Sequence, residues 1–397
     1  MDLLAPDHGM ESVYITPEHV ALREQIARFL AREVEPHAEG WEEQGYVPRA
    51  VLRKMGALGL FGITYPPEYG GAGADAMTSL VFAEALSRCT FGGFVVTVLV
   101  HTDMASPHLV HAGSKPQLDR YLPGVISGEL ITAVAITEPD AGSDVRGIRS
   151  RARREGSHWV LNGSKMFITN GVHADLYFVA ARTDPQAKGA RSISMFVVEK
   201  GTPGLRVGRA LKKTGWLCSD TAELVFEDCR IPDHNLLGEE NGGFYAVMKN
   251  FQTERIALSA MAVGHALTAL SLTLEYVRQR KAFGGALYDK QVIRQRLAML
   301  QAKTGAARHY LYHCAWLVAQ GRECVREVSM LKALTGELVN EVVYTCQQFH
   351  GGMGYIRETA IERLTRDARV LSIGGGATEV MLDEVAKRSW DQRQRPT

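Results

Sequence analysis

A double change of period constrains this chain more than any other feature. Apolar residues recur at helical spacing from Thr16 to about Gly128 and alternate about every second residue from Ile131 to Pro232. From Gly242 onward helical spacing returns in long stretches. The first pattern buries one stripe of a helix and the second buries one face of a strand, so a single repetitive layer is excluded. The chain reads as α+β: an N-terminal helical domain (1–130), a middle antiparallel β domain (131–240) and a C-terminal four-helix bundle (241–397). Three such units suit 397 residues. No βαβ alternation occurs and no GxGxxG follows a strand, which excludes a Rossmann fold.

Local signals sharpen each region. Thr16-Pro17-Glu18 offers an N-cap, a first-turn proline and an acid, and Leu22, Ile26, Phe29 and Leu30 share one face. In Trp159 to Ile168, two β-rich runs flank Asn162-Gly163, and this predicts a hairpin with its turn there. Five arginines between Arg146 and Arg154 interrupt the β pattern and read as a solvated, charged edge. Val247, Phe251, Leu258, Met261 and Ala262 form a buried stripe that continues to Arg280. Val292–Leu317, Val328–Phe349 and Ala360–Val370 follow, with a short last helix at Val380–Val385. Four long antiparallel helices make a bundle.

Composition removes several classes of function. Lys and Arg number 45 against 44 Asp and Glu, a formal charge of +1, where a phosphate-backbone binder is normally basic. The longest apolar run, Phe91–Val100, is about half a membrane span. The first residues show no basic-then-apolar signal pattern, so a cytoplasmic protein is expected. Its six scattered cysteines read as buried thiols, and no metal-ligand spacing is present.

Several segments are candidates for chemistry. Glu254 lies on the buried stripe between Phe251 and Leu258, where apolar neighbours raise a carboxyl pKa toward the range of a general base. A buried ion pair with Arg255 or Arg280 explains the position equally well. Arg278–Gly285 ends a helix with basic residues and glycine, or grips a phosphate. Gln348–Gly354 is a helix–helix turn or a close backbone approach to phosphate. Gly374-Gly375-Gly376 is a tight bend or a substrate-facing backbone, and Ala135–Asp144 is a hydroxyl-rich loop after a strand.

Taken in order, these segments resemble the acyl-CoA dehydrogenase family. Ala135–Gly147 reads A-I-T-E-P-D-A-G-S-D-V-R-G, the first family signature. Gln348, Gly351, Gly352, Gly354, Glu358, Arg363 and Asp367 match the second, with Phe167-Ile168-Thr169-Asn170-Gly171 and Arg280–Gly284 between them. The likeness spans about Thr16 to Arg388. It implies FAD, held on one side by Ala135, Ile136, Thr137, Gly142 and Ser143. Phe167 would lie against the isoalloxazine, where many members carry Trp, and Ile168 and Thr169 near flavin N5. At the adenine end it implies Arg280, Phe283, Gln291, Gln348, Gly351 and Gly352 from a neighbouring subunit, with Ala377 and Glu379 also near the cofactor. A homotetramer and an electron-transfer flavoprotein as partner follow from the same likeness.

Most members place the catalytic glutamate where this chain has Gly375. The long-chain and isovaleryl branches use one on the first bundle helix just before an arginine, and Glu254-Arg255 is similar to that arrangement. Glu379 is the rival. The implied reaction is α,β-desaturation of a saturated acyl-CoA to the trans-2-enoyl-CoA. Glu254 takes the α-proton, flavin N5 takes the β-hydride, and the Gly375 N–H with a ribityl hydroxyl polarises the thioester carbonyl. Ser143, Arg255, Gly375 and Gly376 are the implied substrate contacts. Three departures stand out: Ala377 replaces a common Thr, Gln252 replaces an acid, and Phe94–Val100 is bulky in the helix that commonly lines the acyl pocket.

Overall fold

A computed structural model describes residues 13–391 apart from 185 and 188. Helices come first: α1 (Pro17–Phe29), α2 (Ala38–Gln44), α3 (Arg49–Ala57), α4 (Ala76–Leu86), α5 (Gly92–Leu99), α6 (Ser106–Ala112) and α7 (Lys115–Ser127). α1 starts at Pro17, as its sequence predicts. Asp75 caps α4 by accepting the Thr78 N–H at 3.0 Å. α5 runs through a π-helical segment, Val100–Ala105, directly into α6. Every residue of this rod from Phe91 to Leu109 is buried, so the bulky Phe94–Val100 stretch is core packing.

Eight strands make one sheet: β1 (Thr132–Ala135), β2 (Arg151–Glu155), β3 (His158–Thr169), β4 (Leu176–Arg182), β5 (Ile193–Glu199), β6 (Leu205–Ala210), β7 (Thr221–Pro232) and β8 (Leu236–Leu237). Their order is β6-β7-β3-β2-β4-β5-β8, with β1 beside β4. Pairing is antiparallel except at β4, which meets β1 in parallel and touches β2 in parallel at Arg151–Arg182.

The hairpin expected at Asn162-Gly163 does not form. β3 passes through both residues as one 12-residue strand. The turn lies earlier, at Gly156-Ser157, where Gly156 has φ +61° and Glu155 faces His158. Asn162 serves a different contact: its Nδ2 donates to Asp228 Oδ1 (3.1 Å) and its Oδ1 accepts the Asp228 N–H (2.8 Å). Gly163 is a bulge pressed against Ser150, which a Cβ would overlap. The arginines do not form an edge either. β2 is an interior strand: Arg151 and Arg153 are exposed on the face opposite buried Ala152, and Arg154, on the Ala152 face, lies over the Trp159 ring at 5.5 Å.

The C-terminal part holds α8 (Gly243–Gln279), the small ribbon β9 (Lys281–Ala282) and β10 (Gly285–Ala286), α9 (Gln291–Ala319), α10 (Val325–His350), α11 (Ala360–Ala368) and α12 (Thr378–Asp391). Among the described residues only α8, α9 and α10 are long. Glycines at 351–354 and 374–376 break the remainder, and the 14-residue α12 takes the fourth place beside α10. α8 is long and apolar enough to cross a membrane by length and composition, yet 83% of that window is buried within the protein. All six cysteines are buried and free.

Candidate active site

Three groups of residues gather from distant parts of the chain. The first depends on an irregularity in β3. Between Lys165 and Ile168 the strand loses register with β7, and the Met166 N–H turns to the Thr137 carbonyl at 2.9 Å. Phe167 at the centre of this bulge has φ +61° and is 67% exposed. A left-handed backbone under an aromatic residue is strained, and such strain persists only where surrounding structure enforces it. Lys165 provides that enforcement. Fully buried, its Nζ donates to Ile136 O (2.9 Å) and to Glu138 Oε1 (2.7 Å). Glu138 also accepts the Arg149 and Ser150 N–H groups, folding the 136–150 loop around itself. Ala135 and Ile136 end up buried, Thr137 and Thr169 half-buried, Ile168 buried, and Gly142 and Ser143 exposed. A Cβ on Gly142 would meet only Thr137, at 3.9 Å, so the loop leaves open space above it.

The second group surrounds Glu254 on α8. The Gly374–Gly376 loop runs beside it, with φ +64° at Gly375 and +103° at Gly376. A Cβ built on Gly375 would lie 3.2 Å from Glu254 Oε1 and would overlap Leu258 Cδ1. Glycine is therefore required at 375 by conformation and by space. Burial pushes the Glu254 carboxyl up to about 7, with Arg255 and Lys332 pulling the other way. Glu254 forms no ion pair among the described residues, and Arg280 lies 26 residues further along the chain, about 39 Å at 1.5 Å per residue. Arg255 stacks over Phe251 (5.5 Å to the centroid), and its buried Nε lacks a partner among the described residues. The rival carboxylate, Glu379, is exposed in the first turn of α12, where it complements the helix dipole. Ala377 is half-buried just before that helix, accepting the Met381 N–H at 3.0 Å.

The third group sits at the far end of the bundle. Tyr276 stacks on His350 at 4.2 Å and donates to the His350 carbonyl at 3.1 Å. This joins the end of α8, which leads to Arg280 and Phe283, to Gln348, Gly351 and Gly352. Arg280, Gln291, Gln348, Gly351 and Gly352 are all exposed, and Phe283 is 92% exposed at φ +52°. Lys332, beside the Glu254 group, is 18 residues from His350 on α10, or about 27 Å. The structure thus keeps this group apart from Glu254. The first two groups, by contrast, hang on one rod. Asn170 Nδ2, next to Thr169, donates to Thr97 O (3.0 Å), while Asn250 Nδ2, one turn before Glu254, donates to Met104 O (2.8 Å).

Sequence reasoning did not single out Lys332, Lys165 or Glu138. A signal existed for Lys332, which breaks the apolar Val328, Leu331, Val339 stripe on the buried face of α10. For the Lys165–Glu138 pair nothing local marks the partners, which are 27 residues apart.

Comparison with known proteins covers nearly the whole chain. The chain matches the acyl-CoA dehydrogenase N-terminal domain over residues 16–129, the middle domain over 133–229 and the C-terminal domain over 241–390. It is 40% identical to the mouse mitochondrial long-chain specific acyl-CoA dehydrogenase over 96% of this chain and 88% of that protein. It is 35% identical to isovaleryl-CoA dehydrogenase of Pongo abelii, covering 92% and 87%. The crystal structure of acyl-CoA dehydrogenase from Geobacillus kaustophilus superposes with a TM-score of 0.93 at 40% identity, covering 95% and 99%. Three domains in the same order and such identity over almost the whole length leave one conclusion: the chain belongs to the acyl-CoA dehydrogenase family of FAD-dependent oxidoreductases.

Proposed function

We propose that Glu254 is the base of this enzyme, and that its substrate is a saturated acyl-CoA of branched, medium or long chain. One observation carries the reading: a half-buried carboxyl, raised to about 7, faces a side-chain-free loop whose only polar groups are main-chain. Such a carboxyl is matched to taking a carbon-bound proton near neutral pH. The 40% identity to a long-chain enzyme supports the longer acyl groups.

The residues present suit FAD. The open space over Gly142 and the strained, exposed Phe167 form a cradle on one side. Thr137, Ser143, Phe167, Ile168 and Thr169 would hold the flavin portion, with Ala135 and Ile136 setting the loop. Arg280, Phe283, Gln291, Gln348, Gly351 and Gly352 would hold the adenine portion of a neighbouring subunit's cofactor, and Ala377 and Glu379 would also contact the cofactor. A cofactor shared in this way requires at least a dimer, and the homotetramer is proposed from the family resemblance. Bound FAD supplies a two-electron acceptor for the hydride that leaves the β-carbon. Glu254 accepts the α-proton, leaving a 2-enoyl thioester. The Gly375 N–H donates to the thioester oxygen, where charge develops. Arg255, Ser143 and Gly376 line the thioester side. The domains are taken as 1–130, 131–240 and 241–397. Six free thiols favour a reducing compartment, the cytoplasm.

Anaerobic loss of flavin absorbance across acyl-CoA chain lengths and branching patterns tests substrate and base together. Glu254→Gln is expected to abolish bleaching while leaving FAD bound, and unchanged bleaching refutes the base. Turnover with electron-transfer flavoprotein or an artificial acceptor, without peroxide, is expected. Oxygen consumption with peroxide would instead make the enzyme an oxidase on the same scaffold.

A further inference from the structure

Lys332 is 2% exposed in the middle of α10, and no carboxylate neutralises it at ion-pair distance among the described residues. Taking an ammonium out of water costs several kcal/mol unless its donors are satisfied. Its donors go to two main-chain oxygens, Leu371 O at 2.7 Å and Gly376 O at 3.2 Å. Those carbonyls bracket Gly374 and Gly375. No side chain of the glycine triplet can anchor it, and glycine is the residue with most conformational freedom to lose. Glu254 also borders this loop, its Oε1 3.2 Å from the point where a Gly375 Cβ would lie.

We propose that Lys332 is a positioning residue for the reaction, clamping the Leu371 and Gly376 carbonyls so that the Gly375 backbone is held against Glu254. The inference rests on Glu254 being the base. It adds an electrostatic role, because the ammonium and the carboxyl flank one glycine loop. Burial lowers the Lys332 ammonium to about 8, and its charge draws Glu254 toward the carboxylate. The other charges facing the pair are Arg255 on α8, with Glu384 and Arg388 of α12 beyond it, and Glu337 one turn along α10. None of them touches the loop carbonyls that Lys332 holds.

The test uses FAD-loaded enzyme with Lys332→Met and Lys332→Gln, both neutral and close to the original length. FAD content is expected to stay at the wild-type level and KM to change little, while kcat falls roughly ten- to a hundredfold through misplacement of the loop. The acid limb of the kcat/KM profile moves to higher pH, because Glu254 loses a positive neighbour. A merely structural lysine would lower the melting temperature without moving that limb. A neutral variant with kcat within twofold of wild type and an unmoved acid limb overturns the proposal. If neither variant folds, Lys332→Arg decides: it keeps the charge but cannot place one compact ammonium on both carbonyls, so kcat should fall with the acid limb unmoved, and wild-type kcat in that variant overturns the clamp. Glu254→Gln separates the two readings. If that variant is inactive while Lys332→Met behaves as wild type, only the Lys332 role falls; if Glu254→Gln turns over normally, the base assignment falls and the clamp with it.

Discussion

Glu254 illustrates how one carboxyl can be useful and costly together. Its neighbours Phe251, Leu258 and the Gly375 backbone offer the ionised form little solvation, and this raises its pKa. The sign for stability follows. Below the ordinary carboxylate value it is neutral in folded and unfolded chains alike, with its full contribution present. As the pH rises toward 7 the unfolded chain ionises freely while the folded one resists, so stability is lost through that interval. Glu254→Gln stays neutral throughout. Thermal melts of the FAD-loaded variant should match wild type near pH 4 and exceed it at pH 8, by on the order of 1–2 kcal/mol given partial solvent access. Equal melting at both pH values would show that Glu254 is not desolvated. With Glu254 as the proposed base the dependence in catalysis is opposite, and kcat/KM is expected to fall below about pH 7.

In β3 the same trade is made by a strand. A regular ladder from His158 to Thr169 would turn the Met166 N–H toward β7 and take it from the Thr137 carbonyl; the bulge reverses this and exposes Phe167. An L-residue at φ +61° costs about 1–2 kcal/mol, a cost glycine does not carry. Phe167→Gly should therefore stabilise the FAD-free protein by about 0.5–1 kcal/mol and weaken FAD retention, whereas Phe167→Trp keeps the cofactor. Melting of the apoprotein and equilibrium titration with FAD check this, and undiminished FAD affinity in Phe167→Gly would place the ring elsewhere. Both irregularities of β3 fall where sequence patterns are least informative. Asn162-Gly163 has the composition of a turn, yet it makes a bulge, because Asp228 of β7 and Ser150 at the end of the 136–150 loop meet it. The long apolar stripe of α8, the Pro17 start and the two signatures were legible because their causes are local. Lys165 and Glu138 were not, because their pairing is supplied by the fold across 27 residues, and Lys332 left only its break in the apolar stripe of α10.

The three regions are joined through a carboxylate that the second signature contains but whose task the motif alone does not state. Asp367 on α11 is fully buried. Its Oδ1 accepts the Trp216 N–H (2.6 Å) from the β6–β7 connection, and its Oδ2 accepts the Gly92 N–H (3.0 Å) at the start of α5. Neighbouring residues seal the junction. Arg366 donates to Glu42 at 2.9 Å, and the Arg363 guanidinium lies 3.7 Å over the Phe91 ring. Gly92 and Gly215 have no room for a side chain, since a Cβ on either would press on the Asp367 carboxylate. One side chain thus ties the rod beneath Thr169 and Asn250 to both the sheet and the bundle, and the relative placement of Phe167 and Glu254 depends on it. Asp367→Ala leaves two buried N–H groups without acceptors, at about 1–3 kcal/mol each, for a total loss of about 2–6 kcal/mol. Beyond that loss, the regions should unfold less cooperatively. Tryptophan fluorescence, sensitive to Trp216 at the junction, should change at lower denaturant than helical circular dichroism, by a wider gap than in wild type. Coincident transitions with a loss under 1 kcal/mol would mean that the apolar contacts between the regions hold them together without the carboxylate.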